Sequence, residues 1–366
     1  MSNLRIVIDG RMICESGIGR YIRNLVKELQ IIDQENEYFI LHLKRDYDTT
    51  VYRNNFQKVL ADFHWYGVNE QIKMPKLLEG LKPDLVHFPH FNVPLLYNGK
   101  FVVTIHDLIH QHFQMKRSTT LNPLFYQIKQ LGYKKIFKSA AEKSEKILVP
   151  SNYVKDLLVN EWRMDQDKVS VTYEAVDDEI IAIAKKVSQK KFDSPYIFYV
   201  GNAHPHKNVE SLIKVFLTIK KNCPNLKLVL AGHDHYFWQR IKKEFRHEDI
   251  KYIGYISDEE LVSFYKNAKV FVMPSLEEGF GIPILEAFAC ACPVVASDAG
   301  SLPEIGGDSC LFFNPKDLDD MAKKITQLLD NKKLQEKLVE KGLKRYKEFS
   351  WRKLAKETLE VYRQCG

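Results

Sequence analysis

The chain has 366 residues, more than one ordinary core accommodates, so two domains are expected. Its 45% hydrophobic and 28% charged content excludes a disordered or fibrous protein, and no uninterrupted apolar run approaches the ~20 residues needed to span a bilayer. The formal charge of +7 is concentrated: residues 101–150 carry eight Lys/Arg against three Asp/Glu, which suits an anionic membrane face, a phosphorylated ligand or nucleic acid alike.

In chain order, "MSNLRIVIDG" runs into a first strand without a signal-peptide pattern. Continuous β-branched and apolar runs then recur at 5–9, 38–43, 84–88, 101–107 and 146–150, as strands buried on both faces of a parallel sheet do. Helical segments separate them, the first with Tyr21, Ile22, Leu25, Val26 and Leu29 on one stripe. A second set of strands is expected at 196–201, 226–232, 250–254, 269–275, 293–297 and 310–315. This alternation predicts an α/β protein with a doubly wound sheet in each half. The junction falls near 178–195, giving domains 1–185 and 186–348, with a C-terminal helix over 349–366 returning to the first. Ligands are expected at the carboxyl ends of the strands, in a cleft where the two domains face one another.

Six cysteines, at 14, 223, 290, 292, 310 and 365, form no C-x-x-C pair. They are read as reduced thiols of a cytoplasmic protein. The helix over 123–146 is basic and amphipathic: it either docks peripherally on the inner membrane face or covers the sheet with its lysines solvated.

Three loops at strand ends carry the chemistry. In "LEEGFGIPILE", Gly279 and Gly281 allow close backbone approach and Pro283 starts a helix, so N–H groups near Phe280, Gly281 and Ile282 face an anion. Glu278 and Glu286 bracket that site. A carboxylate beside bound phosphate would repel it, so the pair suits hydroxyls, and a ligand with central diphosphate and polyols at both ends is a nucleotide-sugar. Without such a ligand, the same two residues read as a cap and a first-turn acid of the helix. In "YVGNAHPHKN", His206 and Lys207 stand at a helix entrance, where a cation can oppose charge on a departing phosphate. In "DGRMICESGIGRY", Gly17, Ile18 and Gly19 precede a helix; a lone G-x-G is a weak signal, and no acidic residue ends the second strand to support a nicotinamide fingerprint.

With these motifs the chain resembles the retaining glycosyltransferases of family 4, which have the GT-B fold of two Rossmann-like doubly wound domains facing across a cleft. The resemblance spans nearly the whole chain and is most specific over 270–315, which carries the family's E-x7-E motif as Glu278 and Glu286; "VTIHDLIH" (103–110) and "FSWRKLAKETLEVY" (349–362) agree with it. It implies that Glu278 contacts hydroxyls of the donor sugar and Glu286 the ribose. Lys207 and His206 would meet the phosphates, as would backbone at Phe280–Ile282 and the Gly17–Gly19 loop, while Tyr255 and Ile256 would lie by the base. His106 matches a position that touches the donor sugar, although by itself it reads as a polar residue satisfied at a strand end; His87 and His90 are placed toward the acceptor. His206 departs from the pattern, since many relatives have arginine there.

The expected activity is a metal-independent hexosyltransferase without cofactor. It would use a nucleotide-sugar donor, GDP-mannose before a UDP-sugar, and a glycan or glycolipid acceptor, with no nucleic acid. A non-catalytic nucleotide-sugar-binding protein on the same fold is one alternative, and a Rossmann-type NAD(P) oxidoreductase another.

Overall fold

The computed structural model describes residues 3–113, 123–186 and 194–366. The chain divides into two compact units, residues 1–174 with 351–366, and residues 175–350. The helix Asp178–Lys186 therefore belongs to the second unit, whereas the sequence assigned most of it to the first. The expected junction at 178–195 lies in part outside the described residues.

The first unit is built on β1 (Arg5–Ile8), β2 (Glu37–His42), β3 (Phe56–Leu60), β4 (Leu85–Phe88), β5 (Phe101–Thr104), β6 (Lys146–Val149) and β7 (Val169–Val171). They pair in the order β3-β2-β1-β4-β5-β6-β7, every pair parallel. The middle strands are the apolar runs legible in the sequence, and Val7, Val86, Val103 and Ile147 are fully buried. The helix Gly17–Ile32 buries the expected stripe and packs against the helix Trp351–Cys365, which closes this unit.

The second unit contains β8 (Tyr196–Val200), β9 (Lys227–Ala231), β10 (Ile250–Gly254), β11 (Val270–Met273), β12 (Val294–Ser297) and β13 (Cys310–Phe313). Its order, β10-β9-β8-β11-β12-β13, is that of a dinucleotide-binding sheet, with the strand order reversing between β8 and β11. In the first sheet the reversal lies between β1 and β4. These reversals matter because loops leaving neighbouring strands there run to opposite faces of the sheet and open a crevice.

All six cysteines are free thiols, and Cys290 and Cys292 are buried small residues of the second core. In the helix Pro123–Lys143, Phe137, Ala140 and Ala141 are buried and Lys134, Lys135 and Lys138 exposed; side chains of 123–130 lie outside the described residues. Among the described residues no helix is long and apolar enough to cross a membrane.

Candidate active site

In the second unit the loops after β8 and β11 meet at the strand-order reversal. Leu276 N–H donates to the His206 carbonyl at 2.7 Å, tying the two loops together. Above this tie the Lys207 ammonium donates to both oxygens of Glu278, at 2.7 and 2.8 Å. Their side chains are 19% and 8% exposed, so the pair is largely withdrawn from water. Ser275 Oγ donates to Glu278 Oε1 at 2.5 Å, which fixes the carboxylate from its own loop. The backbone beneath is held as firmly: the single Ser301 hydroxyl proton is shared between the carbonyls of Phe280 and Glu278, at 2.7 and 3.1 Å from Oγ. Gly300 makes that approach possible, because at its φ of +64° a Cβ would stand 2.6 Å from Glu278 N.

Gly281 is left-handed, φ 104° and ψ 45°, and turns the chain into the helix Ile282–Ala289 with Pro283 in its first turn. Glu286 faces inward from that helix, 3% exposed, and accepts from the Tyr265 hydroxyl at 3.0 Å. Burial, with the nearby Glu286 charge, pushes the Tyr265 phenol well above its usual range, so it remains a donor to Glu286. Phe280 is buried with its ring 5.8 Å from Phe349. His206 is also buried, its ring parallel to that of His204 at 5.8 Å. Tyr255, 71% exposed, lies with its ring 4.6 Å from His233 at the neighbouring ends of β10 and β9, and Ile256 next to it is half-buried.

The first unit gathers a second polar group at its own strand-order reversal. The Arg11 guanidinium, 2% exposed, donates to Asp9 at 2.7 and 2.8 Å and to Glu70 at 2.6 Å. Burial raises the Glu70 pKa, although Arg11 pulls the other way. Asn92 Nδ2 donates to the second Glu70 oxygen at 2.7 Å. Asp9, Arg11, Ile18, Trp65, His90 and Asn92 line a small cavity here. The two glycines of the adjacent loop differ in kind: a Cβ on Gly19 would stand 2.5 Å from the Ile13 carbonyl, whereas one on Gly17 would meet nothing. Gly19 serves the packing of the loop, and Gly17 leaves open space at the helix entrance.

His106 follows β5 and is held on both sides. Its Nδ1 lies 3.0 Å from Glu174 Oε1 and its Nε2 3.0 Å from the Pro89 carbonyl, while Tyr21 meets the ring edge-on at 4.9 Å. Burial lowers its pKa, but the Glu174 carboxylate and the Pro89 carbonyl outweigh that and raise it. His87 is a buried structural residue between Tyr362 and Thr104, pushed down to about 3 and neutral. His90 is likewise pushed down by burial, to about 3. Its Nε2 lies 3.5 Å from the Tyr66 hydroxyl.

Sequence reasoning missed Tyr265, Ser275, Ser301, His233 and Glu174. Ser275 stands three residues before Glu278 and was open to notice; the others reach the site from distant elements and leave no local pattern.

Residues 16–180 match the family model described as Glycosyltransferase Family 4, and residues 181–345 match that described as Glycosyl transferases group 1. O-antigen chain mannosyltransferase B of Escherichia coli is 28% identical over 375 residues, 95% of this chain and 96% of that protein. O-antigen chain mannosyltransferase RfbU of Salmonella typhimurium is 28% identical over 258 residues, 69% of this chain and 67% of that protein. Among solved structures, sucrose-phosphate synthase from Thermosynechococcus elongatus matches with a TM-score of 0.75 at 19% identity, covering 100% of this chain and 99% of that one. HepE of Anabaena, in complex with UDP-glucose, matches at 0.74 and 13% identity, covering 99% and 100%. At such identities the two structures establish a shared fold.

Proposed function

The chain belongs to the family 4 glycosyltransferases of GT-B fold, residues 16–180 matching Glycosyltransferase Family 4 and residues 181–345 Glycosyl transferases group 1, and on that premise we propose that it moves a hexose, mannose before others, from a nucleoside diphosphate to a glycan or lipid-linked glycan. The observation that carries the reading is the placement of Lys207 and Glu278 on the two loops that meet at the strand-order reversal of the second sheet, with Glu286 buried on the helix that follows. Full-length similarity to a bacterial mannosyltransferase favours GDP-mannose over a UDP-sugar.

In this reading the donor's diphosphate replaces Glu278 as the anion beside Lys207. The freed carboxylate turns to hydroxyls of the sugar, for which an acceptor-only group is suited. As the bond to phosphate breaks, charge grows on the leaving diphosphate, and Lys207 together with N–H groups at Gly281–Ile282 opposes it. Glu286, preset by Tyr265, takes the ribose diol. Glu278, still held by Ser275 once Lys207 has turned to the diphosphate, serves as a hydroxyl acceptor rather than as a covalent nucleophile, which fits retention through attack on the same face. The chemistry needs no metal.

The test is a thermal-shift screen with GDP-, UDP-, ADP- and dTDP-hexoses, followed by hydrolysis of the stabilising donor with and without EDTA. A ligand present at 100 times its Kd raises stability by about 2.7 kcal/mol. A shift with one donor, and slow hydrolysis that persists in EDTA, is expected. No shift with any donor overturns the reading, and tight binding without turnover toward any acceptor reassigns the chain as a binding protein.

A further inference from the structure

We propose that Glu174 is a positioning residue for sugar transfer: its carboxylate fixes the His106 ring and keeps a proton on each ring nitrogen, so that the ring stands as a fixed cation. The inference rests on the transferase reading, and it extends that reading to a residue outside the E-x7-E motif.

Its basis is donor–acceptor accounting. A carbonyl oxygen only accepts, and so does an ionised carboxylate. Nε2 faces the Pro89 carbonyl and Nδ1 faces Glu174, each at 3.0 Å, so both nitrogens satisfy their partners only as N–H groups. A neutral ring would leave one of those contacts without a proton. The surroundings agree: Glu174 and Asp107 are the acidic groups acting on the ring, and its histidine neighbours His87 and His90 are held neutral by burial. Tyr21 offers its ring edge, and its phenol is kept protonated by burial. The side chains of His106 and Glu174 are 16% and 9% exposed, enough for a ligand to reach the ring and too little for water to loosen the pair.

A cation in this place has a definite use. Beside an oxygen of the leaving phosphate it would offset the negative charge that grows there as the bond to the sugar breaks. Glu174 sets where that charge stands, because rotation of the ring would break both 3.0 Å contacts.

The experiment compares Glu174→Gln and Glu174→Asp with the unmodified chain by histidine NMR titration, the His106 signal being assigned by its loss in His106→Asn, and by the pH dependence of donor turnover. The glutamine variant is expected to lower the His106 pKa by at least one unit. Its turnover at pH 7.5 should fall about tenfold and recover as pH is lowered, and the aspartate variant should restore part of both. An unchanged His106 titration in Glu174→Gln overturns the proposal, as does a loss of rate that is equal at every pH. A chain that transfers no sugar but shows the lowered titration counts against the transferase reading alone, since the titration needs no donor.

Discussion

Lys207 and Glu278 stand 71 residues apart in sequence and form a two-pronged ion pair, with Nζ 2.7 and 2.8 Å from the two carboxylate oxygens. The proposed reaction needs these groups at opposite poles of a donor, one for phosphate and one for hydroxyls. In the structure they are joined, so the proposed donor would have to part them.

That pairing makes a stability prediction. Removing one partner of a largely buried pair leaves a charge uncompensated, at about 3 kcal/mol. Lys207→Met and Glu278→Gln should each lose about that much in urea unfolding. The double variant should lose less than the sum, with a coupling of roughly 1–3 kcal/mol. Strict additivity would show the pair to be energetically inert.

The roles of the two motif glutamates separate by ligand. Glu278→Gln should weaken the nucleotide-sugar about tenfold or more and leave the bare nucleoside diphosphate unaffected or bound more tightly, since Lys207 is then free for phosphate. Glu286→Gln should weaken both ligands. Tyr265→Phe, which removes one hydrogen bond to a charged group, should weaken both by roughly tenfold, equivalent to about 1.4 kcal/mol. Calorimetry with the two ligands checks all three, and equal losses in every combination would refute the division.

Gly300 supports the Glu278 loop by close backbone approach. Gly300→Ala would place a Cβ 2.6 Å from Glu278 N and 2.8 Å from its carbonyl oxygen at a left-handed φ. Turnover should fall at least a hundredfold, and stability should drop by roughly 1–3 kcal/mol. Gly17→Ala, which meets no atom within 4 Å, is the matched control for stability.

Two histidines of the first unit give opposite pH dependences. His87 is held at about 3 by burial, against an ordinary value of about 6.5. Between those values the unfolded chain binds the extra proton, so stability is full above pH 6.5 and is lost toward pH 3, at up to about 1.4 kcal/mol per pH unit. His106 is raised, so its contribution is complete below about pH 6.5 and is lost as pH rises through its folded value. Urea unfolding across pH should show a shallower acid slope in His87→Gln and a flatter alkaline limb in His106→Asn.

The strands of both sheet interiors were legible because burial on both faces demands unbroken apolar runs. The two outer strands of the first sheet were not. In "FQKVL" at β3 only Phe56 is buried, and in "VSV" at β7 only Val169 is, so neither shows the run that marks an interior strand. The glycine loop, Lys207 and Glu278 were legible one by one, through turn chemistry and charge. Their direct contact was not, because strand order brings them together and local spacing says nothing of it. The same holds for Tyr265 on Glu286 and Glu174 on His106, each reaching its partner from another element.

The first unit is interrupted in sequence while the second is contiguous, and this bears on synthesis. Residues 175–350 leave the ribosome as a complete folding unit. The helix Trp351–Cys365, which buries Trp351, Leu354, Thr358 and Tyr362, emerges only afterwards. Until then the helix Gly17–Ile32 lacks its packing partner and His87 lacks Tyr362. The nascent first unit therefore waits, with apolar surface open to chaperones, for a segment made after its neighbour is finished.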